Sequence, residues 1–199
     1  MSYILVGLGN PGEEYTNTRH NTGRILLDAI YKKGDFAEWK EDKKYRALVS
    51  TGNFSGKKVM LMKPQTFMNK SGESLKTLIT SKKKAETLVV LHDDLDLPLG
   101  ILKMSFNRGS GGHRGVESII RAVKTEAFVR LKIGTSPIDR KGLAKKPSGE
   151  KAVDAFILGK FKDSEQKILS KISRKAVEVV ETLVTLGKDR ATEVCNSPK

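Results

Sequence analysis

The residues of this chain with chemistry to offer are three histidines, a run of carboxylates and several amides. His20 stands just before Asn21-Thr22, where helical apolar spacing is about to begin. The helix dipole disfavours imidazolium there, which leaves a neutral ring able to take a proton. A surface histidine capping the helix is the plainer alternative. His92-Asp93-Asp94-Leu95-Asp96 sets three carboxylates at the end of an apolar run. In open α/β sheets ligands bind at the carboxyl ends of strands, so one carboxylate there can orient a histidine. The same cluster also reads as a magnesium site or a plain turn, with no companion His or Glu spacing in support of the metal. His113, in Gly111-Gly112-His113-Arg114-Gly115, opens a helix and reads equally as structural or functional. The segment 63–72 (KPQTFMNKSG) brings Phe67, Met68 and Asn69 to a strand end. Such groups can stack on a base and hydrogen-bond a peptide, although Phe67 and Met68 by default belong to a core.

The elements that position these groups follow from periodicity. Strands are expected over Tyr3–Val6, Tyr45–Thr51, Lys57–Lys63, Thr87–His92, Ile101–Phe106 and Val129–Thr135. Helical spacing runs through Ile25, Leu26, Ala29 and Ile30, and again through Val116, Ile119, Ile120 and Val123. A long helix is expected from about Asp163 to Leu186, capped by Asp163 or Ser164 and ended by Gly187. Strands interleaved with helices indicate an α/β fold, and the hairpin joined through Gly52–Gly56 makes its sheet mixed. Residues 137–149 (PIDRKGLAKKPSG) lack periodicity and read as a long mobile loop of the kind that is often functional. The polar end, 188–199, is expected to be a frayed tail after a single domain spanning 1–187.

Composition limits the class of function. The chain has 199 residues, 38% of them hydrophobic, enough for a single sizeable core. No stretch approaches the ~20 apolar residues of a membrane span, and the N-terminus lacks a signal-peptide pattern. The single cysteine, Cys195, rules out an internal disulfide framework, and a cytoplasmic protein is expected. Lys plus Arg number 37 against 23 Asp plus Glu, a net charge of +14, and the pI is about 9.8. Such an excess suits a polyanionic partner, nucleic acid above all.

Three familiar motifs fail on context. Gly7-Leu8-Gly9-Asn10-Pro11-Gly12 matches the dinucleotide fingerprint, but Pro11 removes an amide donor and helical spacing starts only near Ile25. A tight turn aiming Asn10 outward is the better reading. Gly52-Asn53-Phe54-Ser55-Gly56-Lys57-Lys58 is one residue short of a P-loop and lacks the following Ser or Thr. No G-x-S-x-G nucleophile elbow exists, so an enzyme on this chain activates water directly.

Taken in order, the motifs resemble those of the bacterial peptidyl-tRNA hydrolase family. The resemblance is carried by Gly7–Gly12, Tyr15, Thr18-Arg19-His20-Asn21, Thr66-Phe67-Met68-Asn69 with Ser71-Gly72, His92-Asp93, Leu95–Pro98, Gly111-Gly112-His113 and Arg130–Gly134. It covers about residues 3–187. The resemblance implies a twisted mixed sheet between helices and a cytoplasmic monomer that needs no metal or cofactor. It also implies cleavage of the ester joining a peptide to the terminal adenosine of tRNA, which recycles tRNA from abortive translation. Under it, His20 is the general base and Asp93 holds its other ring nitrogen. Asn10 and Asn69 hold substrate, and Tyr15, Phe67, Met68, His113 and Arg114 line the cleft. Lys103 and Arg130 meet tRNA phosphates. The chain departs from the family at Arg114, where many members carry asparagine, and at Asp94, where glutamate is common. Two rival readings remain: a non-catalytic RNA-binding protein on the same fold, and a magnesium-dependent phosphatase built on Asp93, Asp94 and Asp96.

Overall fold

A computed structural model of the chain describes residues 2–197. Met1 and the end of the expected tail, Pro198 and Lys199, lie outside the described residues. The strands are β1 (Tyr3–Gly7), β2 (Asp35–Phe36), β3 (Lys40–Asp42), β4 (Ala47–Phe54), β5 (Lys57–Pro64), β6 (Leu88–Pro98), β7 (Leu102–Phe106) and β8 (Val129–Ser136). The helices are α1 (Thr22–Lys33), α2 (Lys82–Ala85), α3 (Arg114–Val123), α4 (Glu150–Ile157), α5 (Asp163–Leu186) and α6 (Lys188–Asn196). All six expected strands are present, five with shifts of at most three residues at their ends and β6 running six residues past the expected end at His92, and the three expected helices are present too. The two-residue β2, three-residue β3, one-turn α2 and α4 are additions too short or too weakly patterned to read beforehand.

The sheet runs β2-β4-β5-β1-β6-β8-β7, with β3 paired to β4. Its centre is parallel, β5 with β1, β1 with β6 and β6 with β8; the β4–β5 and β7–β8 pairs are antiparallel. The mixed sheet is therefore as expected. The hairpin turn is tighter than expected, because Gly52 and Asn53 belong to β4. Ser55 and Gly56 make the turn with φ of +50° and +77°, the pair of positive values that a two-residue hairpin of matching twist demands.

Period-two alternation sends successive residues to opposite faces. Leu5, Val89, Leu91 and Leu131 pack with Leu26, Leu27 and Ile30 of α1 and Val179, Val180 and Leu183 of α5. Ile4, Val6, Met62 and Val90 pack on the other face with Val116 and Ile119 of α3. The helix α5 begins as expected at Asp163, but its cap is Lys162, whose amide donates to Glu165 Oε2 at 2.7 Å.

The chain end differs from expectation. Residues Lys188–Asn196 form α6, with Ala191 and Cys195 buried in the same core as α5. A polar sequence hid this helix, because two small side chains carry its packed face. The segment 137–149 folds back on itself: Ile138 bridges Ala144, and Asp139 Oδ1 accepts from the amides of Lys141 and Leu143. Among the described residues no helix is long and apolar enough to cross a membrane.

Candidate active site

Because β1, β5, β6 and β8 run parallel, the segments following them meet at one edge of the sheet. The segment after β1 carries Asn10 and His20, that after β5 carries Met68 and Asn69, and β6 itself delivers His92 and Asp93 there. A cavity of about 690 Å³ opens at this edge, lined among others by Asn10, His20, Met68, Asn69, Asp93 and His113.

The His20 segment is held from three sides. Arg19, buried, pairs with Glu165 of α5 through both carboxylate oxygens, at 2.8 and 3.0 Å. It also donates to the carbonyls of Gly159 and Lys160, and its guanidinium lies 4.5 Å from the Phe156 ring centroid of α4. On the other side, α1 presses directly on the sheet. A Cβ at Gly23 would stand 2.2 Å from Leu91 O and 2.6 Å from Leu8 N, so only glycine permits this approach. The glycine-rich opening thus serves packing rather than phosphate binding: a Cβ on Gly7 would likewise stand 2.6 Å from Gly23 O.

His20 Nδ1 lies 3.0 and 3.1 Å from the two oxygens of Asp93. A proton on Nδ1 satisfies that bond and leaves Nε2 with its lone pair on the cavity side. Asp93, almost fully buried, has a second partner in His113 Nε2, 3.0 Å from Oδ1. Burial works to raise the Asp93 pKa, but the imidazoles of His20 and His113 outweigh it and hold the carboxyl well below its ordinary range. For His20, burial opposes the charged form, yet the charge and hydrogen bond of Asp93 prevail, with help from Asp154, and its pKa is raised. The helix-dipole expectation is therefore corrected: the carboxylate decides the basicity of His20, and it favours protonation. His92 is different. Its Nδ1 lies 2.7 Å from Asp93 O, its Nε2 is buried without a partner, and burial drives its pKa well down.

Asn10 is partly occupied by the fold. Its Oδ1 accepts from Met68 N at 2.8 Å, while its own backbone is gripped by Asn21: Asn10 N donates to Asn21 Oδ1 at 2.8 Å and Asn21 Nδ2 donates to Asn10 O at 2.9 Å. The Asn10 Nδ2 donors remain for a ligand. Asn69 and Phe67, 60% exposed, line the cavity with the buried Met68. Arg114 lines it too, its guanidinium 2.6 Å from Glu150 at the start of α4 and 3.8 Å from Asp154 one turn on.

Two expectations fail on placement. Tyr15, half-buried on the short helix Glu13–Tyr15, is not among the described residues that line the cavity. Arg130, expected to meet phosphate, is fully buried in β8 and donates to Gly109 O. β8 lies between β6 and β7 with both faces covered, so Arg130 is buried along with its neighbours Val129 and Leu131, which the charge alone did not reveal. Lys103 of β7 is exposed as expected, but lies outside the cavity wall. The carboxylates lie within the second half of β6, past the strand end expected at His92, and do not converge as a cation site would require. Asp93 is bound to two histidines, Asp94 to Lys132 at 2.8 Å, and Asp96 to Lys146. The ligand-type atoms of His20, Asp93 and His113 do gather within 4.8 Å, but at N···O separations that a shared proton fills. Sequence reasoning missed Asn21 as a clamp, and it missed Lys70, Lys132, Glu150 and Asp154 as cavity wall. Only Asn21 carried a signal, through its place beside His20.

Comparison with known proteins agrees with this geometry. A family model described as peptidyl-tRNA hydrolase matches residues 4–199. The peptidyl-tRNA hydrolase of Aquifex aeolicus (strain VF5) is 38% identical over 198 residues, covering 97% of this chain and 95% of that protein. That of Thermoanaerobacter sp. (strain X514) is 39% identical over 195 residues, covering 98% and 99%. The crystal structure of peptidyl-tRNA hydrolase from Acinetobacter baumannii superposes with a TM-score of 0.87 at 31% identity, over 99% of this chain and 95% of that one. With the sheet, the cavity and the sequence in agreement, this chain belongs to the peptidyl-tRNA hydrolase family.

Proposed function

We infer that the protein hydrolyses the ester between a peptide and the 3′-terminal ribose of tRNA. The observation that carries this reading is the buried His20–Asp93 pair, its free Nε2 on the side of a cavity of about 690 Å³. In the reaction, His20 Nε2 removes a proton from water as the oxygen attacks the ester carbonyl. The tetrahedral adduct then collapses, expelling the ribose oxygen, which takes the proton back from His20. The products are a free peptide acid and a tRNA with an intact hydroxyl. Asp93 fixes the tautomer and stabilises the transient imidazolium. The amide donors of Asn10 and Asn69 hold the attacked carbonyl and the peptide. A positioned base is worth roughly 10²–10⁴-fold and a fixed donor at the developing oxyanion on the order of 10²–10³.

Phosphates along the acceptor strand supply affinity that does not depend on tRNA identity. Of the cations lining the cavity, Lys132, Lys146 and Arg114 are each paired with a carboxylate. Lys70 has no carboxylate partner among the described residues, and it stands beside exposed Phe67. We therefore assign phosphate contact to Lys70 inside the cavity and Lys103 outside it, with Phe67 offered to the terminal base. The test is release of free tRNA from N-acetylaminoacyl-tRNA. Wild type turns over and His20→Ala loses at least about 10²-fold; a His20→Ala protein of full activity defeats the mechanism.

A further inference from the structure

Asp93 has two imidazole partners, and the reaction above uses one. His113 Nε2 approaches Oδ1 at 3.0 Å, the same oxygen that His20 Nδ1 meets at 3.0 Å. The tautomer of His113 is fixed from its other side, where Nδ1 accepts from the amides of Gly115 at 3.1 Å and Val116 at 3.3 Å, the first free donors of α3. Its remaining proton therefore sits on Nε2 and points at Asp93. Among the described residues the Asp93 carboxylate has no third hydrogen-bond donor.

We propose that His113 is a positioning residue for the reaction: by donating to Asp93 Oδ1 it locks the carboxylate in place and shares its charge, so that His20 is oriented without being committed to its protonated form. The proposal rests on the ester-hydrolysis reading of His20. Two charges act on His20 besides Asp93: Asp154 of α4, which favours imidazolium, and Arg114 of α3, which opposes it. The His113 ring lies 5.1 Å from that of His20, centroid to centroid, and His92 packs edge-on against His113 with ring centroids 4.6 Å apart. None of Asp154, Arg114 and His92 bonds to the Asp93 carboxylate. Removing the His113 donor leaves the whole negative charge facing His20, which favours the imidazolium that cannot accept a proton from water.

His113 has two roles, helix cap and donor, and two substitutions separate them. In His113→Asn the shorter side chain still accepts from the α3 amides, as asparagine does at an N-cap, but cannot reach Asp93. In His113→Gln the amide nitrogen stands near the position of Nε2 and still donates, while the cap is lost. The measurements are the His20 titration by NMR and the pH profile of kcat/KM on N-acetylaminoacyl-tRNA, with thermal melts alongside. For His113→Asn the His20 midpoint rises by on the order of half a pH unit and the acid limb of the profile follows. For His113→Gln the midpoint stays near wild type although the melting temperature drops. An unshifted His113→Asn midpoint overturns the proposal, and so does a His113→Gln midpoint displaced as far as that of the Asn variant. Should His113→Asn not fold, His113→Met, similar in reach but without a donor, carries the same expectation. The NMR titration reads the coupling independently of turnover, so failure of the hydrolysis reading and failure of this proposal are distinguishable.

Discussion

Gly23→Ala tests whether the His20–Asp93 geometry is set by how closely α1 approaches the sheet. Gly23 lies three residues after His20, and the backbone oxygen it faces belongs to Leu91, two residues before Asp93. A Cβ there stands 2.2 Å from that oxygen, whereas ordinary contact begins near 3.4 Å. Helix and strand must separate by about 1 Å to admit the methyl group. That separation falls on the two elements that carry the catalytic pair, whose Nδ1–Oδ1 distance is 3.0 Å. Overpacking of this kind costs about 1–3 kcal/mol of stability, and a 1 Å misplacement costs on the order of 10²-fold in rate, near 2.7 kcal/mol of barrier. Gly56→Ala is the control. Its φ of +77° makes any side chain strained, but a Cβ there meets nothing within 4 Å and the turn is remote from the cavity. Both variants should melt a few degrees below wild type, at about 2–4 °C per kcal/mol. Only Gly23→Ala should lose kcat/KM in the tRNA-release assay, run well below both melting points. A folded Gly23→Ala protein within threefold of wild type would refute the reasoning.

Four further outcomes are expected. The kcat/KM profile falls as pH drops through the raised pKa of His20, placing its acid limb above the ordinary value of 6.5, with no contribution from the depressed Asp93 in that range. Stability follows the opposite senses: the His20 contribution is complete below 6.5 and lost as pH rises through its raised folded value, while that of Asp93 is present above 3.8 and lost as pH falls through its lowered one, which melts at graded pH resolve. Lys70→Ala and Lys103→Ala each flatten the slope of log affinity for tRNA against log salt by about 0.7–0.9, whereas Arg130→Met leaves it unchanged; an equal loss of slope in Arg130→Met contradicts its burial. Ending the chain after Gly187 removes Ala191 and Cys195 from the core and the Lys188 ammonium from 3.7 Å above the Phe106 ring. The melting temperature falls by roughly 5–10 °C, and an unchanged melt would show that α6 contributes nothing.

Sequence by itself determined the strands, the long helices and the mixed α/β class, because alternation and 3.6-residue spacing are local patterns written into each segment. His20, Asp93, Asn10 and Asn69 came forward together only through the resemblance of their motifs to the peptidyl-tRNA hydrolase family; read one by one, each had a plainer structural alternative. Tertiary structure alone decided the rest. That Arg19 grips Glu165 across 146 positions, that Asp93 is shared by two histidines, and that Gly23 exists to let α1 touch β6 are facts about chain segments meeting. Arg130 shows the limit most plainly. Its charge suggested solvent and phosphate, but β8 lies inside the sheet with both faces covered, while Lys70 gained its place in the cavity wall from the path of the chain after β5. Hydrophobic period is a property of neighbours in sequence; a shared carboxylate or a buried cation depends on which surfaces the whole fold brings into contact.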